Sequence, residues 1–327
     1  MRARSVVESS FAGTRHRPHA HKATAGRRFV LVFLLIMAGS LRPSLRRVAA
    51  AGRANTSQES CGTALQPAAA TSAELPFAEY DSEAEQLLLQ LANQARSQAG
   101  VLALKLDPGL CRAAQAHAIN MLRAHQLSHQ FAGEPSLPQR LAAATQIQLD
   151  QEAENVALDY DPEDGHQHLM MSPPHRANLL NPVYNVIGIG VVHAGDRIYI
   201  VQDFARALPT YSVPEFKDQI AVAISRARHQ ARQPDLARLS LLNKDLPGAD
   251  DVACSMAKAD KLETSAVHQL AQHYIVLMYT TTYPGTIPSS AAQVFSTQGL
   301  HRFSLGACYA RTETYPTGVY WVFAAVN

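Results

Sequence analysis

The sequence predicts an α+β protein of two folded units behind a basic, apolar leader. Three observations carry that expectation. Helix-period apolar stripes and hairpin-like strand runs both occur between Glu74 and Leu208. A weaker set of the same signals follows from Pro209 to Asn327. With 327 residues, 47% hydrophobic and 17% charged, the chain has room for about two domains with ordinary cores.

The formal charge of +2 hides an asymmetry. Met1–Arg53 carries ten Arg and one Lys against one Glu, so the remainder is net −8. The acidic remainder does not suit a nucleic-acid surface. The basic stretch ends in an apolar run, Phe29 to Ala38, directly after Arg27-Arg28. That run suits a signal-peptide core and is short for the roughly 20 residues of a spanning helix. The expectation is export to the medium, envelope or periplasm, with residues 1–51 as n-region and signal. An uncleaved N-terminal anchor, a downstream start and a twin-arginine signal are the alternatives. Cys61 lacks the residues expected before a lipid-modified Cys. Residues 52–73 are Ala-, Ser- and Gly-containing without periodicity and read as a linker.

An even count of four Cys (Cys61, Cys111, Cys254, Cys308) in an exported chain permits disulfides, with three pairings. Cys254–Cys308 is the favoured one because both lie in the C-terminal region; free buried thiols are the alternative.

Asp81-Ser82 begins a helix with Glu83 and Glu85 in its first turn and Gly100 at its far end. Ala84, Leu87, Leu88, Leu91 and Ala95 form its apolar stripe. Asp107-Pro108 begins a second helix, whose stripe Leu110, Ala113/Ala114, His117, Met121 puts a histidine among core residues. Glu154-Asn155 precedes a short apolar stretch. Ser172-Pro173-Pro174-His175 is a further helix start. Val183 to His193 and Arg197 to Ala205 read as a strand hairpin. The acidic run Asp159 to Gly165 lacks the ligand alternation of a calcium loop and reads as a polar turn holding His166 and His168 near solvent.

Several blocks then converge on one family. "LLLQLANQARSQAGVLALKLDPGLCRAAQAHAINM", "LSHQFAGEPSLPQRL", "ENVA", "SPPHRANLLNPVYNVIGIGVV" and "YIVQDFA" stand in the order and spacing of bacterial CAP (SCP) domains, and residues 74–208 resemble that superfamily. The resemblance implies an α-β-α sandwich with a central antiparallel sheet. It also implies a cleft of two His and two acidic residues that in some members holds a divalent metal. His117 matches the first His, Glu154 the Glu of a GEN-like motif, and His175 the second His. Two departures stand out. Ala153 replaces the usual Gly, and the second acid, sought among Leu169 to Ser172, is missing, which reduces the tetrad to a triad.

Two imidazoles and one carboxylate would suffice for Zn²⁺ or another divalent metal with an open water position. The same three groups are also satisfied as a hydrogen-bonded cluster without metal. No HExxH helix or GxSxG elbow supports hydrolysis. His129, Asn155 and Asp203 are expected to line the cleft; His125 and His129 would share a face if the second helix ran that far.

The C-terminal region, 209–327, either is a degenerate second unit of the same kind or resembles it by chance. "FSLGACYARTETYPTGVYWVFAAV" parallels the strand–hairpin–strand of the first unit, and Ser255 or Met256 falls where the first unit has His117. The functional expectation is a non-catalytic exported binding module for a lipid-like ligand or an envelope component. A metal-dependent hydrolase of peptide or cell-wall material and a purely structural module are the alternatives.

Overall fold

Asp81 caps the first helix as the sequence anticipates: its carboxylate accepts the Ala84 N–H at 2.9 Å. Asp107 does the same for Leu110 at 2.8 Å, and Pro108 occupies the first turn, where its missing N–H is harmless. The computed structural model describes residues 6–7, 61, 80–240 and 247–327. The apolar leader run and all of the linker but Cys61 lie outside the described residues.

The elements, in chain order, are β1 (Val6–Val7), α1 (Ser82–Gln98), β2 (Lys105–Leu106), α2 (Pro108–Ala124), α3 (Leu137–Ala144) and β3 (Leu149–Asp159). Next come α4 (Pro162–Met171), α5 (Pro173–Leu179), β4 (Val186–Ala194) and β5 (Arg197–Ala207). The second half comprises α6 (Val213–Gln230), β6 (Ala237–Arg238), α7 (Ala249–Ala259) and α8 (Ser265–Ala271). It ends with β7 (Ile275–Thr281), α9 (Ser289–Phe295), β8 (Arg302–Ala310) and β9 (Val319–Val326).

The first half is an α-β-α sandwich. Its sheet has the order β2-β4-β5-β3. The three long strands are antiparallel, and only the two-residue β2 runs parallel to β4. One face packs Ala84, Leu88 and Ala92 of α1, Leu169 of α4 and Leu179 of α5 against Ile187, Ile189, Ile200 and Phe204. The other face receives Ala114, Ala118 and Met121 of α2 on Val192, Tyr199 and Val201. Gly188 and Gly190 let α2 lie directly on β4. A Cβ on Gly188 would fall 2.0 Å from the Leu110 backbone, and one on Gly190 2.4 Å from the Gln115 nitrogen.

The second half repeats this order of elements. Its sheet runs β1-β7-β9-β8-β6, so β6, β8, β9 and β7 stand as β2, β4, β5 and β3 do. The helices repeat too, α6 preceding the short edge strand and α7 following it. Both α2 and α7 end on a residue in the left-handed region, His125 and Asp260, each at φ 50°.

Two expectations are corrected. The acidic segment Asp159–Gly165 is no turn, because Asp161 caps α4 by accepting the Asp164 N–H at 2.8 Å and Pro162 supports its first turn. Helix α2 stops at Ala124, so His125 and His129 do not share a helical face. Both disulfides are formed, Cys254–Cys308 as expected and Cys61–Cys111.

Candidate functional site

The site sits where α2, the loop into α3, α3 itself and the β3–β5 pair meet. Glu154 on β3 faces Asp203 on β5 as a cross-strand partner, so both side chains rise on the face that α2 covers. His117 comes down from α2, two helical turns after Leu110, and is fully buried.

His117, Glu134, Glu154 and His129 already have protein partners. His117 Nδ1 lies 2.8 Å from Glu134 Oε1, and its Nε2 lies 2.8 Å from the Ser128 carbonyl oxygen. Glu134 also accepts from Asn120 Nδ2 at 2.9 Å and from the Phe131 N–H at 3.0 Å. Burial alone would raise the Glu134 carboxyl, yet the hydrogen bonds from His117, Asn120 and Phe131 outweigh it and hold it below the usual carboxylate range. Arg140, from α3, donates through Nη2 to Glu154 Oε2 and through Nη1 to the His129 carbonyl at 3.1 Å. Its Nη1 also lies 3.7 Å from Glu134 Oε2. The other Glu154 oxygen is 2.9 Å from His129 Nδ1, while His117 Nε2 stays 3.8 Å from Glu154 Oε2.

Asp203 is fully buried, and neither carboxyl oxygen has a hydrogen-bond partner of good geometry among the described residues. Burial, then the adjacent Glu154 carboxylate, pushes it well above the usual range, and Arg140 opposes this only in part. A neutral carboxyl is the form that such a place tolerates. His175 on α5 is half-buried and is lowered, first by burial and then by the nearby His129 charge.

The sequence-derived site residues therefore divide. His117, His129, Glu154 and Asp203 gather at one place, and His175 stands beside His129. Asn155 is fully buried and anchors α5: its Nδ2 donates to the His175 carbonyl at 3.2 Å, and its Oδ1 accepts from Asn178 at 2.9 Å. Leu169 to Ser172 bring no acid to the cluster; a second carboxylate, Glu134, joins it from the loop before α3, and His117 and His129 pair with Glu134 and Glu154. Arg140 was not anticipated at all.

Metal fit can be judged from these donors. A metal needs lone pairs aimed at one point. Both nitrogens of His117 are engaged by acceptors, and a guanidinium already sits on Glu154. Among the described residues no group of three or more His, Cys, Asp or Glu is arranged to hold a metal ion. In this arrangement the residues do not fit one.

Residues 89–204 match the family model of the cysteine-rich secretory protein family, CAP. The chain is 30% identical over 147 residues to the uncharacterized protein YkwD of Bacillus subtilis (strain 168), covering 45% of this chain and 55% of that protein. It thus spans about half the length of that curated relative. Among solved structures, an extracellular protein containing a SCP domain from Bacillus anthracis str. Ames is 27% identical, covering 38% of this chain and 40% of the other at a TM-score of 0.35. An outer surface protein from Borrelia burgdorferi is 18% identical, covering 40% of this chain and all of the other at a TM-score of 0.37. The family match thus falls on the three-layer first half, over residues that carry the cluster.

Proposed function

We infer that the chain is an exported, non-catalytic CAP-domain binding module whose polar cluster latches the cleft. The observation that carries this reading is Arg140. Its guanidinium neutralises Glu154 and approaches Glu134, so the cluster is balanced by the chain's own cation. A hydrolase would need a base or a metal-bound water with a free face, whereas both ring nitrogens of His117 are turned to acceptors and the Glu134 and Glu154 carboxylates accept from neighbouring donors. The two disulfides suit an oxidising compartment outside the cytosol. A groove of about 550 Å³ lined by Met170, Met171, Pro173, Leu180, Pro182 and Arg176 offers apolar surface beside a cation, which suits a lipid-like ligand with an anionic end.

The test compares the oxidised protein with a His117→Ala/His175→Ala variant on peptide and cell-wall substrates, with zinc supplied. No turnover by either protein is the expected result. Turnover by the wild type that the variant loses would overturn the non-catalytic reading. In parallel, apolar molecules extracted from the purified wild type should be depleted in a Leu180→Glu variant.

A further inference from the structure

The second half repeats the first down to its internal anchors. In α1, Arg96 donates through Nε to the carbonyl six residues on (Leu102, 2.7 Å) and through Nη1 to Leu179 (2.8 Å) and Asn181 (3.0 Å), at the end of α5. In α6, Arg228 donates through Nε to the carbonyl six residues on (Pro234, 2.7 Å) and through Nη1 to Phe295 (2.8 Å) and Thr297 (3.0 Å), at the end of α9. A buried arginine reading the same three carbonyls in each half is a specific coincidence of sequence and geometry.

Strand register shows what became of the cluster. In the first sheet Gly188, Asp203 and Glu154 stand side by side across β4, β5 and β3. In the second, Gly306, Phe323 and Met278 stand side by side across β8, β9 and β7. Gly306 lies against Ala249 at the start of α7 as Gly188 lies against Leu110 at the start of α2. Seven residues beyond Leu110 comes His117; seven beyond Ala249 comes Met256. The polar positions His117, Glu154 and Asp203 thus correspond to Met256, Met278 and Phe323, all within one apolar core.

What the second half offers instead is a grip on the first. Arg311, after β8, donates through Nη1 to the Ala142 carbonyl at 2.7 Å and through Nη2 to those of Thr145 and Ile147 at 2.9 and 3.4 Å. Nearby, Thr317 Oγ1 donates to the Leu149 carbonyl at 2.8 Å, and Gln148 Nε2 donates to the Gly318 carbonyl at 3.2 Å. The last carbonyls of a helix lack intrahelical partners, and its C-terminal end favours a cation. Helix α3 has only eight residues and no basic residue in its last turn, so it is too short to hold itself. It is also the helix that carries Arg140.

We propose that the C-terminal half is a second copy of the CAP-type fold that has exchanged its polar cluster for apolar core and serves as a clamp, Arg311 seating α3 so that Arg140 meets Glu154 and Glu134. Arg311 touches no member of the cluster and is a positioning residue.

The experiment uses the full chain as wild type, Arg311→Ala, Arg311→Lys and Thr317→Val. It reads amide exchange of residues 137–144 and the side-chain N–H signals of Arg140, assigned by their loss in Arg140→Lys. In Arg311→Ala the α3 amides should exchange about tenfold faster or more, as expected when charged hydrogen bonds to a locally opening helix are lost. The Arg140 signals should broaden, while amides in β5 and β9 keep wild-type protection. Arg311→Lys should restore part of the effect, and Thr317→Val should leave α3 and Arg140 as in wild type. Unchanged α3 exchange and unchanged Arg140 signals in Arg311→Ala would overturn the clamp. So would acceleration spread evenly over both halves, or an equal response in Thr317→Val.

Discussion

Glu85 shows how single side chains set conditions for this fold. It is 2% exposed, accepts the Val191 N–H at 3.2 Å on the open edge of β4, and accepts from Gln115 Nε2 at 3.0 Å. Burial, the largest influence, raises its carboxyl from 4.5 to about 7, against the hydrogen bonds from Gln115 and Val191. An acid raised by folding is stabilising in its neutral form. Its contribution is therefore full below pH about 4.5, falls as pH rises towards about 7, and is lost beyond that. The loss is about 3 kcal/mol. Glu85→Gln should flatten the corresponding decline in thermal stability between about pH 5 and about pH 7.5; an unchanged decline would remove Glu85 as its source. At this scale the sequence is partly legible. His117 is visible because it lies on an apolar stripe, and Glu154 because it is a carboxylate directly before a short apolar stretch, within β3. Glu134 is hidden because it reaches His117 from an irregular loop, where periodicity says nothing. Arg140 left a signal that is easy to pass over, a charge on the α3 stripe with Leu137, Leu141 and Ala144. Such a charge is either solvated or paired, and only the fold shows the pair.

Among elements, the helices and strands near the site follow their sequence signals closely. Caps at Asp81 and Asp107 and the β4–β5 hairpin were expected from local chemistry, which is why they stand where periodicity put them. The exception is α4, whose acidic run reads as a polar turn in the sequence, whereas the Asp161 cap, Pro162 in the first turn and the packing of Leu169 make it a helix. Close approach of α2 to β4 is likewise encoded in Ile187-Gly188-Ile189-Gly190. Gly188→Ala would press a methyl against the Leu110 backbone, which has no flexible side chain to yield. We expect a loss of about 3 kcal/mol or more, measured by urea unfolding. Arg96→Ala removes the charged donor for four carbonyls, including that of Tyr184 at 2.9 Å, and should cost at least about 3 kcal/mol. Arg228→Ala should behave alike if the two anchors are equivalent. A loss under about 1 kcal/mol for either arginine would deny it the anchoring role.

For the whole molecule, the chain combines a first half that matches the CAP family and holds a polar cluster with a second half of the same strand order without it. The sequence hinted at the repeat through its hairpin and its Ala-rich helix. The substitutions at Met256, Met278 and Phe323 could be aligned only once strand register was known, because gaps between the halves differ. Each half is stapled: Cys61–Cys111 and Cys254–Cys308 span 50 and 54 residues. A loop of the latter length predicts about 4 kcal/mol from unfolded-state entropy. Cys254→Ala/Cys308→Ala should therefore lower stability by roughly that amount while leaving the Cys61–Cys111 half native-like by amide exchange. Equal stability with and without the bond would show that the Met- and Trp-containing core around it suffices.

The central claim is that Arg140 closes the cluster as its resident cation. The most direct measurement is calorimetric titration of zinc into the wild type and into Arg140→Ala, with His117→Ala/Arg140→Ala as control. The wild type should take up no stoichiometric zinc, and Arg140→Ala about one zinc per chain, which the control loses. Tight, stoichiometric zinc binding by the wild type, unaffected by removing Arg140, would contradict that claim.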